Sequence, residues 1–303
     1  MRRKPVILHT DIGGDIDDFW ALVLLLRQKD KFDLKMILTD TWNAVARAAL
    51  CGKILEGTEF VRTVLIGAGI PDDDRSIPEE EWIHNYDMER YPGHFRRDGV
   101  AAMIELIMNS PEPITLISIG PATSLAEALR IAPEIAGKVH FVGMFGSINR
   151  KYDGSAGAER EFNVKEDIPS CRAVFAAPWL SFVLTPLDSC AAVVLEGALF
   201  RRIAESDDPL LVKLMECNSC FLRFLAGGRE VPPPERTTLL CDTVAIHLAS
   251  SRRFLRMEPM KLRITDEGVT VRDEMDGTLV EVALAWTDLD GFLQFLTDTL
   301  SGN

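Results

Sequence analysis

Positive charge is what this sequence is short of. Lys and Arg total 33 against 46 Asp and Glu, a net charge of −13, and no block of basic residues follows the short Arg2–Lys4 start. Nucleic acid and anionic membrane are bound through basic surface, so neither is expected as a partner. Long apolar runs are also missing. The continuous run Phe19–Leu26 falls far below a membrane span, and Pro5–Leu8 is too short for the core of a signal peptide. There is no disulfide framework either. Six cysteines, at 51, 171, 190, 217, 220 and 241, are scattered along 303 residues, which fits reduced thiols in a cytoplasmic protein. Cys217-x-x-Cys220 has no second CxxC and no well-spaced histidine, so two core thiols on one helical face are expected rather than a zinc site. No internal repeat, low-complexity tract or clear linker divides the chain, and one domain over 1–303 is expected.

What is present begins with the stretch His9–Leu22, HTDIGGDIDDFWAL. An apolar run leads in, Gly13 and Gly14 sit mid-stretch, and a long apolar segment follows, which predicts strand, tight loop and helix. Asp11, Asp15, Asp17 and Asp18 crowd that loop. Such a loop is solvated, neutralised by a cation, or keeps a carboxylate protonated. Helix capping explains one or two acids but not Asp11 on the strand side of the glycines.

Further along, strands are predicted at Phe32–Thr39, Val64–Ala68, Ile114–Ile119, Val139–Met144 and Leu180–Leu184. Helices are predicted at Ala44–Glu56, Val100–Met108, Leu125–Ile131, Pro169–Ala177, Pro209–Leu225 and Leu239–Ser250. This alternation implies an α/β fold with a mostly parallel, doubly wound sheet and helices on both faces. The tail 258–303 departs from it, with antiparallel strands expected at Lys261–Thr265, Thr270–Arg272 and Thr278–Ala285 and a closing helix at Leu289–Leu300. The charged segment 72–99 carries Trp82, His84, Tyr86, Tyr91 and His94 and is expected to act as a lid. Polar clusters recur where strands end, at Asp11–Asp18, Asp40–Asn43, Gly120–Ser124 and the loop running to Asn163. In a doubly wound sheet these ends converge on one crevice. Oxygen-rich ligands there suit Ca²⁺ or Mg²⁺ rather than zinc.

Four segments then resemble the nucleoside hydrolases of the inosine–uridine-preferring type: TDIGGDIDDFWAL, GPATSLAEAL at Gly120–Leu129, EFN at Glu161–Asn163, and LLCDTVAIHL at Leu239–Leu248. The resemblance implies Ca²⁺-dependent cleavage of the N-glycosidic bond of a ribonucleoside, in a cytoplasmic homodimer or homotetramer serving purine or pyrimidine salvage. It implies Asp11, Asp18, Asp242 and the backbone carbonyl of Thr123 as metal ligands, with Asp11 also the general base for the attacking water. Asp17, Asn43, Glu161, Asn163 and Asp242 fall on the sugar-binding positions, with Met144 packed beneath the sugar. The family's first acidic position falls on His9, and a ribose-binding asparagine falls on Ser155. Cys241 occupies the place of a histidine that several members use on the leaving base, which leaves Cys241 itself, His84 or Tyr86 of the expected lid as the donors to consider. Two other readings stay open on the sequence: a ribosyl-binding protein that has lost leaving-group chemistry, and a metal-dependent phosphohydrolase with Asp11 as nucleophile.

Overall fold

The computed structural model describes residues 2–71 and 73–302, so Asp72, at the head of the expected lid, and Asn303, at the end of the tail, lie outside the described residues. Ten strands form one sheet. In chain order they are β1 (Lys4–Thr10), β2 (Phe32–Thr39), β3 (Leu65–Ala68), β4 (His94–Arg96), β5 (Ile114–Ser118), β6 (Val139–Met144), β7 (Ser181–Thr185), β8 (Leu255–Ile264), β9 (Thr270–Arg272) and β10 (Thr278–Trp286). Their spatial order is β4-β3-β2-β1-β5-β6-β7-β10-β8-β9. All neighbours from β4 through to β10 pair in parallel, and β8 and β9 add antiparallel pairings at one edge.

The chain leaves β1 toward β4 and then returns to lay β5 on the other side of β1. The carboxyl ends of β1 and β5 therefore flank the point where the winding reverses, the place where open α/β sheets bind ligands.

Period-two side-chain alternation puts each central strand into two cores. Val6 and Leu8 of β1 join one cluster while Ile7 joins the other. The helices that cover these faces are α1 (Asp17–Arg27), α2 (Ala44–Leu55), α3 (Gly99–Asn109), α4 (Thr123–Ile131), α5 (Phe162–Glu166), α6 (Ile168–Ala176), α7 (Leu187–Cys190), α8 (Gly197–Ala204), α9 (Pro209–Leu225), α10 (Cys241–Leu248) and α11 (Leu289–Leu300). Helices α9, α10 and α11 pack on α1 over one face, while α3 and α6 pack against α4 over the other. No helix among the described residues is long and apolar enough to cross a membrane.

The tail's strands pair antiparallel as expected, β10 with β8 and β8 with β9, and they continue the main sheet because β10 also pairs in parallel with β7 through Glu281–Val183 and Val282–Leu184. The segment 73–99 is folded onto the body, with strand β4 on the sheet edge and Ile77, Trp82, Ile83, Met88 and Tyr91 buried. Trp82 packs edge-on against Phe19 and donates from Nε1 to Glu216 Oε2 at 3.2 Å. Tyr91 donates to the Val61 carbonyl.

Candidate active site

The site grows from the end of β1. Gly14 N–H donates to the Asp11 carbonyl at 3.1 Å, closing a tight turn. Gly13 sits at φ +95°, where a Cβ would lie 2.7 Å from Leu50 Cδ1, so only glycine fits. A Cβ on Gly120, beyond the end of β5, would come within 2.8 Å of Asp11 Oδ1. The backbone of the Gly120–Ala122 turn can therefore lie directly against the Asp11 carboxylate.

Helix α1 opens with Asp17 and Asp18, and α10, packed beside it, opens with Cys241 and Asp242. This brings one carboxylate oxygen each of Asp17, Asp18 and Asp242 within 4.8 Å of one another, although more than 200 residues separate Asp242 from the other two along the chain. Asp242 N–H donates to Asp17 Oδ2 at 3.4 Å, and the Thr10 hydroxyl donates to Asp18 Oδ1. Asp11 lines the same cavity. All four acids are buried. Burial holds Asp11 up at about 6, and burial together with mutual repulsion raises Asp17, Asp18 and Asp242 well above the ordinary carboxylate range.

The donor set is all oxygen, and Arg47 is the positive charge that bears on Asp11 and Asp18. Its guanidinium, fully buried on α2, donates Nη1 to the carbonyls of Asp11 and Ile12 and Nε to that of Trp42, leaving Nη2 without a partner. One guanidinium cannot balance four carboxylates, and a hard divalent cation fits the remainder.

Around the acids lies a cavity of about 400 Å³, lined also by Met144, Tyr152, Glu161, Phe162, Asn163, Lys165, Thr238 and Cys241. That is room for a small ligand. Glu161 caps α5 and accepts from the N–H groups of Gly146, Asn163 and Val164, and burial still lifts it to about 7. Asn163 donates to the carbonyls of Met144 and Ile119, fixing its amide so that the oxygen is left for a ligand.

Other expected residues sit apart. Asn43 caps α2 in a left-handed conformation and donates to the Arg75 carbonyl at 2.9 Å, which ties α2 to the 73–99 segment; it does not line the cavity. Thr123 begins α4 with its hydroxyl on Asp167 Oδ2, outside the lining. His84 is exposed, and the Tyr86 hydroxyl is committed to Glu56 at 2.7 Å. Neither reaches the cavity, so both drop out as donors. Cys241 does reach it, but its thiol is hydrogen-bonded to Cys190 and pushed well up by that bond and by burial, which removes it as an acid. Ser155 is exposed.

Three buried residues were not among the expected site residues. His9 bridges Ser118 Oγ at 2.9 Å and Asp40 Oδ2 at 2.6 Å, and Asp40 also accepts from Ser124 N–H, so the carboxyl ends of β1, β2 and β5 are tied together. Thus the acid missing at His9 is answered by one on the neighbouring strand. The third, Glu79, reaches in from the 73–99 segment with neither oxygen partnered, and its pKa is raised by burial to about 8. In the sequence, His9 showed only as the residue on the family's first acidic position and Asp40 only within the polar run following β2, while Glu79 gave no sign.

A buried, oxygen-only carboxylate cluster at the winding reversal of a parallel sheet defines a cation-dependent α/β enzyme class. The comparisons with known proteins narrow it. The family profile of the inosine-uridine preferring nucleoside hydrolases matches residues 6–294, and the chain belongs to that family of N-glycosidases. It is similar to the non-specific ribonucleoside hydrolase RihC of Salmonella paratyphi B, 32% identical with 98% of this chain and 97% of that one covered. The RihC of Shigella boydii is 26% identical, with 99% of each chain covered. Among solved structures, an inosine-uridine preferring nucleoside hydrolase from Bacillus anthracis superposes with a TM-score of 0.74 at 20% identity over 100% of both chains. A plant nucleoside hydrolase reaches 0.76 at 18%, again over 100% of both. At such identity these structures establish the shared fold.

Proposed function

We propose that this chain is a Ca²⁺-dependent ribonucleoside hydrolase, one domain in extent, that splits the N-glycosidic bond to give ribose and free base. The observation that carries the reading is the meeting of Asp17, Asp18 and Asp242 within 4.8 Å beside Asp11.

Asp11, Asp18 and Asp242 would hold the ion, with the Thr123 carbonyl as a fourth ligand. When bound, the cation supplies Lewis acidity that eases deprotonation of water. Asp11 takes a proton from the attacking water, and a divalent cation beside it would keep the carboxylate ionised at neutral pH, as a base must be. Asp17, Asp242, Glu161 and Asn163 bind ribose hydroxyls, with Met144 beneath the ring. The carboxylates stabilise positive charge growing on the sugar as the bond to the base lengthens. Family membership favours this glycosidic chemistry over phosphoester cleavage. As further parts of the same proposal, the protein works in the cytoplasm in nucleoside salvage, as a homodimer or homotetramer that light scattering would register.

The test is a panel of purine and pyrimidine nucleosides with a reducing-sugar readout. Ribose release is expected with Ca²⁺, lost on chelation and lost in Asp11→Asn. No ribose from any nucleoside, together with Ca²⁺-dependent thermal stabilisation by ribose, would replace the enzyme with a ribosyl-binding protein.

A further inference from the structure

A base that leaves with the bonding electron pair needs a hydrogen-bond donor where that charge appears. On the reading above, Asp11, Asp17, Asp18, Asp242 and Glu161 are engaged with the sugar and the ion, and Asp15 is turned to its own loop, where it accepts the Ile16 N–H at 2.6 Å. Asn163 spends its amide hydrogens on two backbone carbonyls. Cys241 is bonded to Cys190. Three side-chain donors remain in the lining: Tyr152, Thr238 and Lys165.

Tyr152 is the best placed. Its Oη accepts the Phe162 N–H at 3.0 Å, which points one lone pair at the backbone and leaves the phenolic hydrogen without a protein acceptor among the described residues. Phe162 is the middle residue of the EFN triplet, so this bond registers the phenol against the sugar-binding pair Glu161 and Asn163. Both Glu161 and Cys241 stand close enough for their charges to bear on the phenol.

The arm that carries Tyr152 is braced. Tyr152 N–H donates to Glu159, Asp188 accepts from the N–H groups of Ile148 and Asn149, and the Ser147 hydroxyl donates to the Arg150 carbonyl. Thr238, also in the lining, has a buried hydroxyl with no partner among the described residues. Lys165 is exposed and lies over the Phe162 ring.

We propose that Tyr152, together with Thr238 of the same lining, is the hydrogen-bond donor to the departing base, in place of a group on α10. Water gives its oxygen to C1′ and one proton to Asp11. The C1′–N bond breaks and its pair withdraws onto the base, whose developing negative charge is met by the Tyr152 O–H. Tyr152 stays protonated throughout, since burial holds its ionisation far above neutral pH. The base takes up its proton from solvent, and Asp11 returns one to solvent.

The inference rests on the hydrolase reading, and two substrate types separate their failures. A nucleoside leaving group needs the donor, whereas nitrophenolate leaves unaided. Tyr152→Phe should lower kcat on inosine and uridine about 100-fold while 4-nitrophenyl β-D-ribofuranoside turnover changes by less than about threefold. Thr238→Val should act in the same selective direction, more weakly. Because Tyr152→Phe also strips the acceptor from Phe162 N–H, the nitrophenyl riboside reports whether the sugar site survives. Equal losses on both substrates, or full nucleoside activity in Tyr152→Phe, would overturn the proposal, as would a selective loss in Lys165→Met without one in Tyr152→Phe. A wild-type protein that cleaves neither substrate type would overturn the hydrolase reading and this inference with it.

Discussion

Remove the cation and raise the pH, and the folded protein should weaken. The acids of the site are held above their ordinary values by burial and by one another, so between their unfolded and folded pKa values the native state binds more protons than the unfolded chain. Stability is then fully present at low pH and is lost as pH rises through that window. For Asp11, moved from 3.8 to about 6, the loss is ~3 kcal/mol. For Glu79, moved from 4.5 to about 8 with both oxygens unpartnered, it is ~4–5 kcal/mol. Part of this has gone by pH 5. Glu161, moved from 4.5 to about 7, adds ~3 kcal/mol, and at roughly 2 °C per kcal/mol for a chain of this size the metal-free Tm should fall by ~15 °C between pH 5 and pH 9. Millimolar Ca²⁺ should flatten the lower part of that fall, because the ion offsets the repulsion among Asp11, Asp17, Asp18 and Asp242, and should raise Tm most where the acids are ionised. Glu79 should contribute to the fall above pH 7, so Glu79→Gln should reduce it. Differential scanning fluorimetry on chelator-treated and Ca²⁺-loaded protein measures all three curves. A metal-free Tm that is flat or rises from pH 5 to pH 9 would refute the reasoning.

Other consequences follow from particular contacts. Asp11→Asn should cut ribose release by about 10³-fold with Tm at pH 7 unchanged or raised, since it removes a buried charge; parallel kinetics and fluorimetry check both. Glu161→Ala should cost ~2–3 kcal/mol in denaturant unfolding, because the N–H groups of Gly146, Asn163 and Val164 all lose their acceptor. Arg47→Met should destabilise by ~3–5 kcal/mol, as the carbonyls of Asp11, Ile12 and Trp42 lose their donor and the acid cluster loses its counter-charge. Gly13→Ala should abolish Ca²⁺ binding before it abolishes folding, because a Cβ at φ +95° meets Leu50 and shifts the loop that carries Asp11.

Local signals in the chain described much of this molecule. Asp11–Asp18 declared itself through glycines and acids in a short span, and helices Pro209–Leu225 and Leu289–Leu300 were bounded to the residue. What stayed hidden depends on pairing across the fold. No local pattern says that β10 will insert beside β7, or that three residues of the 72–99 segment will form edge strand β4. The short helix α8 also went unread, being only eight residues long with Phe200 and Ile203 as its buried anchors. Arg47 and Glu79 look like surface charges in sequence, and only the tertiary structure buries them against the acid loop. The His9–Asp40 bridge is of the same kind, a partnership between adjacent strands 31 residues apart.

The central claim is that acids from both ends of the chain share one divalent ion. Equilibrium dialysis against ⁴⁵Ca²⁺ at neutral pH tests it most directly. The account predicts one tightly held ion per chain in the wild type, and its loss in both Asp18→Asn and Asp242→Asn. Retention of the ion by either variant, or no bound ion in the wild type, would contradict it.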